Sequence, residues 1–245
     1  MGGSKKRAFA VLALVATAPS AASAGEYDPR DVYARMQEAY AQLKSYADVG
    51  SIATDYEAAG GTDAQSYAVT TAFRRPRQFI FSTVRATDSE RFVIWVDTGD
   101  FKTYWSASQD TEDYPQGQGG SAFAIGSEPT EGTIVTIPAL LFADAGLHGP
   151  LTDLGDLKAS GYEDVTGHRC YKIDGTIASA YGTGAVTGVR AATVWIDEET
   201  LLVRKLFEDT PKDTQAGVTD QVVMTFEPNA NPDLADNPFN FVPPQ

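Results

Sequence analysis

Two histidines and one cysteine are the residues of this chain best suited to nucleophilic or metal chemistry. His168 and Cys170 stand two apart in a run, His168–Ile173, that reads as a strand, so they share one face. The strand rise sets their side chains ~6–7 Å apart, too far for the hydrogen bond that an activated thiol needs. Cys170 is therefore expected to be a small buried apolar group, and as the single cysteine it can make no internal disulfide. His148 sits in a loop flanked by Gly and Pro. The chain has no G-x-S-x-G elbow, no P-loop, no H-E-x-x-H and no paired-cysteine site. Asp and Glu are many but scattered; that reads as a solvated surface, while leaving a carboxylate dyad open. No catalytic residue, metal ligand or cofactor is expected.

What the chain does concentrate is aromatic and aliphatic bulk. Phe79, Phe81, Trp95, Trp105, Phe123, Leu140, Leu141, Phe142 and Trp195 are candidates for lining an interior. The plainer account of them is a filled core. Against it, about ten strands curled round enclose more than one layer of side chains can easily fill, which leaves room for an apolar ligand.

The elements that would position these residues follow from patterning. Lys5, Lys6 and Arg7, an apolar run Ala8–Ala18 and Ala22-Ser23-Ala24 have the layout of a cleaved export signal, so residues 1–24 are expected to be removed and 25–245 to form one domain. The apolar run is shorter than the ~20 residues of a spanning helix. The formal net charge of −14 argues against nucleic acid and against anionic headgroups, both of which favour basic patches.

Asp28-Pro29 reads as an N-cap followed by a first helical position. Val32, Met36, Ala39, Tyr40, Leu43 and Tyr46 then recur at helical spacing. From Val49 the period changes to two. Val49–Tyr56, Ser66–Phe73, Gln78–Val84, Arg91–Asp97 and Phe101–Ala107 read as successive strands of an antiparallel meander. Residues 109–135 are polar and Gly-rich around Phe123–Ile125. Thr136–Ala143 reads as a short helix with no polar face, which must be covered on most of its surface. Leu151–Leu157 reads as its continuation. Strands resume at Tyr162–Val165, and a Gly/Ala/Ser/Thr-rich loop spans Gly175–Gly188. Thr193–Ile196 and Leu201–Phe207 flank the polar turn Asp197–Thr200, an antiparallel hairpin that organises the sheet. There Leu202, Arg204 and Leu206 are expected on one face, and Val203, Lys205 and Phe207 on the other. The tail, with five prolines, suits an extended edge segment.

These motifs carry a resemblance. The R-P-x-x-F step Arg75-Pro76-Arg77-Gln78-Phe79, the turn region Asp97–Trp105 and the terminal F-x-F-x-P-P of Phe239, Phe241, Pro243 and Pro244 resemble the LolA family. These are periplasmic carriers of outer-membrane lipoproteins, with relatives that bind lipids or act as stress-sensor domains. The resemblance implies an α+β fold: a strongly curved antiparallel half-barrel of about eleven strands, with a long N-terminal helix and a helical lid insertion. It implies a non-catalytic carrier of a lipoprotein or lipid, exported to the periplasm, with an acylated or other apolar ligand and an envelope membrane protein as partners. In lipoprotein carriers the arginine of the R-P step holds the lid, and Arg75 occupies that position. An envelope sensing or interaction domain of the same fold is the alternative, and a lipid-acting hydrolase a weaker one.

Overall fold

Asp28 caps the first helix as its spacing predicts, accepting the Arg30 backbone N–H at 2.9 Å, with Pro29 at the first position of α1 (Pro29–Gln42). The buried stripe is Val32, Met36 and Tyr40. The helix is shorter than the apolar repeat: Leu43 is its C-cap and Tyr46 already belongs to β1 (Ser45–Ala58). The computed structural model describes residues 27–244, apart from 59–60, 116, 127–129, 131–132, 179–188, 214–217 and 235–236. The export segment and most of the Gly175–Gly188 loop lie outside the described residues.

From β1 the chain runs outward in sequence: β2 (Gly61–Arg74), β3 (Gln78–Arg85), β4 (Arg91–Val96), β5 (Phe101–Trp105) and β6 (Asp110–Tyr114). It then carries helices α2 (Gly119–Gly126) and α3 (Thr136–Leu141) before β7 (Gly155–Val165). The remaining strands return toward β1: β8 (His168–Ala178), β9 (Val189–Asp197), β10 (Val203–Asp213) and β11 (Val218–Phe226). The order is β6-β5-β4-β3-β2-β1-β11-β10-β9-β8-β7, with every described pairing antiparallel. A short β12 (Asn229–Ala230) adds to β1, opposite Tyr46 and Ala47. The fold is an α+β half-barrel whose sheet does not close on itself.

Two elements differ from the patterning. The acidic segment Asp110–Tyr114 is a strand, paired with β5 from Phe101↔Tyr114 to Trp105↔Asp110. As an edge strand it buries Tyr114 alone, so no alternation marks it; its charges suit an unpaired edge. Leu151–Leu157 does not continue the helix: it is a turn followed by the start of β7.

The topology has one consequence for function. β6 and β7 are consecutive in sequence yet form the two opposite edges of the sheet. The segment between them, carrying α2 and α3, therefore crosses from one rim of the half-barrel to the other. Strand alternation sorts the side chains accordingly. Phe92, Ile94 and Val96 of β4, with Phe79 and Phe81 of β3, join one large core with α1, α2 and α3. The intervening Val93 and Trp95 pack with Tyr104 on the outer face, covered by Phe241 of the tail.

Candidate functional site

The site is the contact between the crossing segment and the helix-covered face. All six residues of α3 are buried, and Leu140 and Leu141 are 2% and 0% exposed. Phe142 follows at the C-cap and meets Phe73 and Phe79 edge to face, with ring centroids at 5.3 Å in both pairs. Phe123 of α2 lies 5.7 Å from Phe79 and 5.6 Å from Phe101. Offset and edge-on rings at such distances add attraction to their burial. Gly126, the last residue of α2, packs closely: a Cβ there would fall 2.6 Å from Ile134 Cδ1 and 2.9 Å from the Phe92 ring, so either would have to shift.

Arg75 ties this segment to α1. Its Nε donates to the Leu43 carbonyl at 2.9 Å and Nη2 to the Leu141 carbonyl at 3.5 Å. Both carbonyls belong to helix C-termini, which lack intrahelical partners and attract cations. The guanidinium also lies 5.3 Å over the Phe73 ring and 3.9 Å from the exposed Asp144 carboxylate.

Seven of the ten residues singled out from sequence meet here: Arg75, Phe79, Phe81, Phe123, Leu140, Leu141 and Phe142. Trp105 is half-buried at the margin of the same core, and its indole N–H donates to Glu90 at 2.5 Å. Two expectations need correction. Trp95 and Trp195 face away from this core. Trp95 packs 5.0 Å from Phe241, and Trp195 packs with Val165 and Cys170 beneath the amines of Lys172 and Lys205. Each is one position out of phase with its concave-face neighbours, Ile94 and Val96 or Val194 and Ile196.

Cys170 and His168 are held in local contacts of the outer face. Cys170 is fully buried; burial pushes its thiol up to about 11, so it is not a thiolate nucleophile at neutral pH. Its Sγ lies 3.4 Å from the His168 carbonyl rather than against the imidazole. His168 Nδ1 instead stands 3.1 Å from Asp197 Oδ2 and 3.2 Å from Arg204 Nη2. Among the described residues no group of His, Cys, Asp or Glu is placed to hold a metal, and no helix is long and apolar enough to cross a membrane.

The residue that patterning missed is Asp48. It is 5% exposed and stands on the same face as Tyr46, whose hydroxyl donates to Oδ2 at 2.7 Å. Burial raises its carboxyl to about 6, although the Tyr46 hydroxyl and Thr71 pull the other way. A folded-state value above the unfolded one means the protonated form fits the fold better. Stability from this group is present below about pH 4 and is lost as pH rises through about 6. Asp48→Asn should therefore flatten the dependence of urea stability on pH between about 4 and 7, removing a decline of about 3 kcal/mol. An unchanged slope in the variant would show that Asp48 ionises freely.

No protein-family profile matches the chain, and no curated protein matches it in sequence. Similar solved structures include LprF from Mycobacterium bovis, 13% identical over 89% of this chain and 96% of that one, with a TM-score of 0.47. The Mycobacterium tuberculosis lipoprotein LppX is 18% identical over 81% and 95%, with a TM-score of 0.41. A LolA superfamily protein from Nitrosomonas europaea is 10% identical over 87% and 97%, with a TM-score of 0.33. The family named by the motif resemblance is thus among the similar structures. At these scores the likeness carries no argument about ligand or activity, which rest on the geometry above.

Proposed function

We propose that the protein is an exported, non-catalytic binder of an apolar ligand bearing acyl chains, a lipid or a lipoprotein, acting in the periplasm. The observation that carries this reading is α3: a helix buried on every side, strung between the two rims of an open half-barrel. A chain segment that only closed a core would need no apolar residues on its far side. Here α3 is in contact with α1, and its six residues are all buried. Leu140, Leu141 and Phe142 occupy the place an acyl chain would take, and methylenes replace buried side chains at comparable gain, ~0.8 kcal/mol each. Binding then means that α3 lifts and the chain enters between it and Phe79, Phe81 and Phe123.

Arg75 would hold that lid. Arg75→Ala removes the bonds to Leu43 and Leu141, so uptake of a fluorescent fatty-acyl probe should quicken by roughly tenfold, the equivalent of one or two hydrogen bonds. Uptake at the unchanged rate would separate Arg75 from the lid. The reading as a whole is tested by organic extraction of protein purified from its own envelope, followed by mass spectrometry. Acyl species near equimolar with protein are expected. Protein free of acyl species would favour an interaction domain of the same fold.

A further inference from the structure

The turn between α1 and β1 is held from two directions. Asn231, which follows β12, accepts the Lys44 and Ser45 backbone N–H groups through Oδ1 at 2.7 and 3.3 Å, and its own N–H donates to the Ser45 carbonyl at 2.9 Å. The Ser45 hydroxyl donates to the Pro232 carbonyl at 2.8 Å. The same turn anchors Arg75. The Lys44 carbonyl accepts the Arg75 backbone N–H at 2.8 Å, and the Leu43 carbonyl accepts Arg75 Nε at 2.9 Å. From that anchorage Arg75 Nη2 reaches the Leu141 carbonyl at the end of α3. The preceding residue, Arg74, serves the C-terminal side instead. Its guanidinium donates to the Leu234 carbonyl and lies 5.3 Å over the ring of the fully buried Phe239. Two consecutive arginines therefore grip the C-terminal segment and the lid.

We propose that the segment bearing Asn231, Pro232, Leu234 and Phe239 is the latch of the lid: docked on the α1–β1 turn and on Arg74, it keeps Arg75 bonded to α3, and its release frees α3 to lift. The segment suits a detachable part. Among the described residues its ladder pairing is the two-residue β12 against β1, so it comes away without breaking the pairing of β1 with β2 or β11. Release leaves the Lys44 and Ser45 N–H groups to water and loosens the turn, and the Leu43 and Lys44 carbonyls then no longer hold the guanidinium at Leu141. Such a bonded chain transmits because the turn has two arrangements, docked and released. A competing route exists, since α1 also touches α3 directly; Arg75 is the residue that tells the two routes apart. The inference concerns the movement of α3 and needs no ligand, so it goes beyond the reading as an acyl binder.

The test is hydrogen exchange of the purified protein, read at the peptide bearing Phe142, whose N–H donates to the Pro138 carbonyl at 2.9 Å and reports opening of the last turn of α3. Asn231→Gly removes the side-chain bonds to Lys44 and Ser45 and keeps the backbone φ of 53° that Asn231 adopts. In this variant the peptide should exchange about tenfold faster, as expected for one or two lost hydrogen bonds. The β8–β9 ladder around Ile173 and Val194 should keep its wild-type rate. Arg75→Ala should show the same gain, and the two changes together no more than Arg75→Ala alone. If Asn231→Gly does not fold, Arg74→Met, which cuts the other grip, is read in the same way. An unchanged rate at Phe142 overturns the proposal. So does a double variant faster than Arg75→Ala, which would route the effect through α1, and so does an equal gain in the β8–β9 ladder, which would make the segment a general stabiliser. None of these outcomes bears on whether an acyl chain binds.

Discussion

Replacing Arg204 with methionine should cost about 3–5 kcal/mol of stability, the usual result of leaving one member of a buried ion pair alone. Arg204 Nε and Nη2 reach Asp197 Oδ2 at 2.9 and 2.8 Å, and the two side chains are 8% and 2% exposed. Asp197 also closes the β9–β10 turn, because Oδ1 accepts the backbone N–H groups of Glu199 and Thr200 at 2.9 and 3.0 Å. Burial pushes the Asp197 carboxyl up, but the Thr200 and Glu199 N–H groups and Arg204 outweigh it, and the net shift is downward. A depressed folded value means stability that is present above the unfolded pKa and lost as pH falls through the folded one. The cost of Arg204→Met should thus be largest near neutrality and shrink below about pH 4, where Asp197 can protonate. Urea denaturation at the two pH values measures this. Adding Asp197→Asn should recover much of the loss, and a double variant as weak as the single one would show that packing, not charge, was removed.

The second large effect is at the lid. Leu141→Ala should cost about 2–5 kcal/mol, since the side chain is fully buried and its removal leaves a cavity. A pure core position would show that loss and nothing else. If Leu141 fills the ligand's place, the same variant should take up more fatty-acyl probe, and the probe should restore part of the lost melting temperature. Loss of stability with no gain in uptake would identify α3 as core alone.

How much of this was legible in the sequence depends on burial. Strands β2 to β4 declare themselves because β-branched and aromatic residues dominate Tyr67–Phe73, Phe79–Val84 and Phe92–Val96, and α1 because its cap and stripe agree. β6 is acidic on both faces of an edge, and α2 has two glycines in its first turn, a weak helix former held by Ala122 and Phe123 against the sheet. Neither carries a periodic signal. Phe92–Val96 is apolar at every position, so its pattern does not say that Trp95 faces outward; the outer face is apolar too, since Phe241 covers it. In β10 the expected face sharing fails at a register shift between Val203 and Lys205, which inserts Arg204 and lets Leu202 and Val203 both join the core. The site was legible in Arg75, Phe79, Phe123 and the 140–142 run. Asp48 was not, because a strand taken to begin at Val49 hides an acid standing on the apolar face.

The proposed function places an acyl chain between α3 and the sheet. A fatty acid carrying a photoreactive diazirine on its chain, bound to the purified protein and irradiated, reports that position directly. Peptide mapping should find saturable labelling in the segments bearing Leu140–Phe142 and Phe79–Phe81, suppressed by excess unlabelled lipid. Labelling confined to the outer-face segments bearing Trp95 or Trp195, or labelling that excess lipid does not suppress, would contradict it.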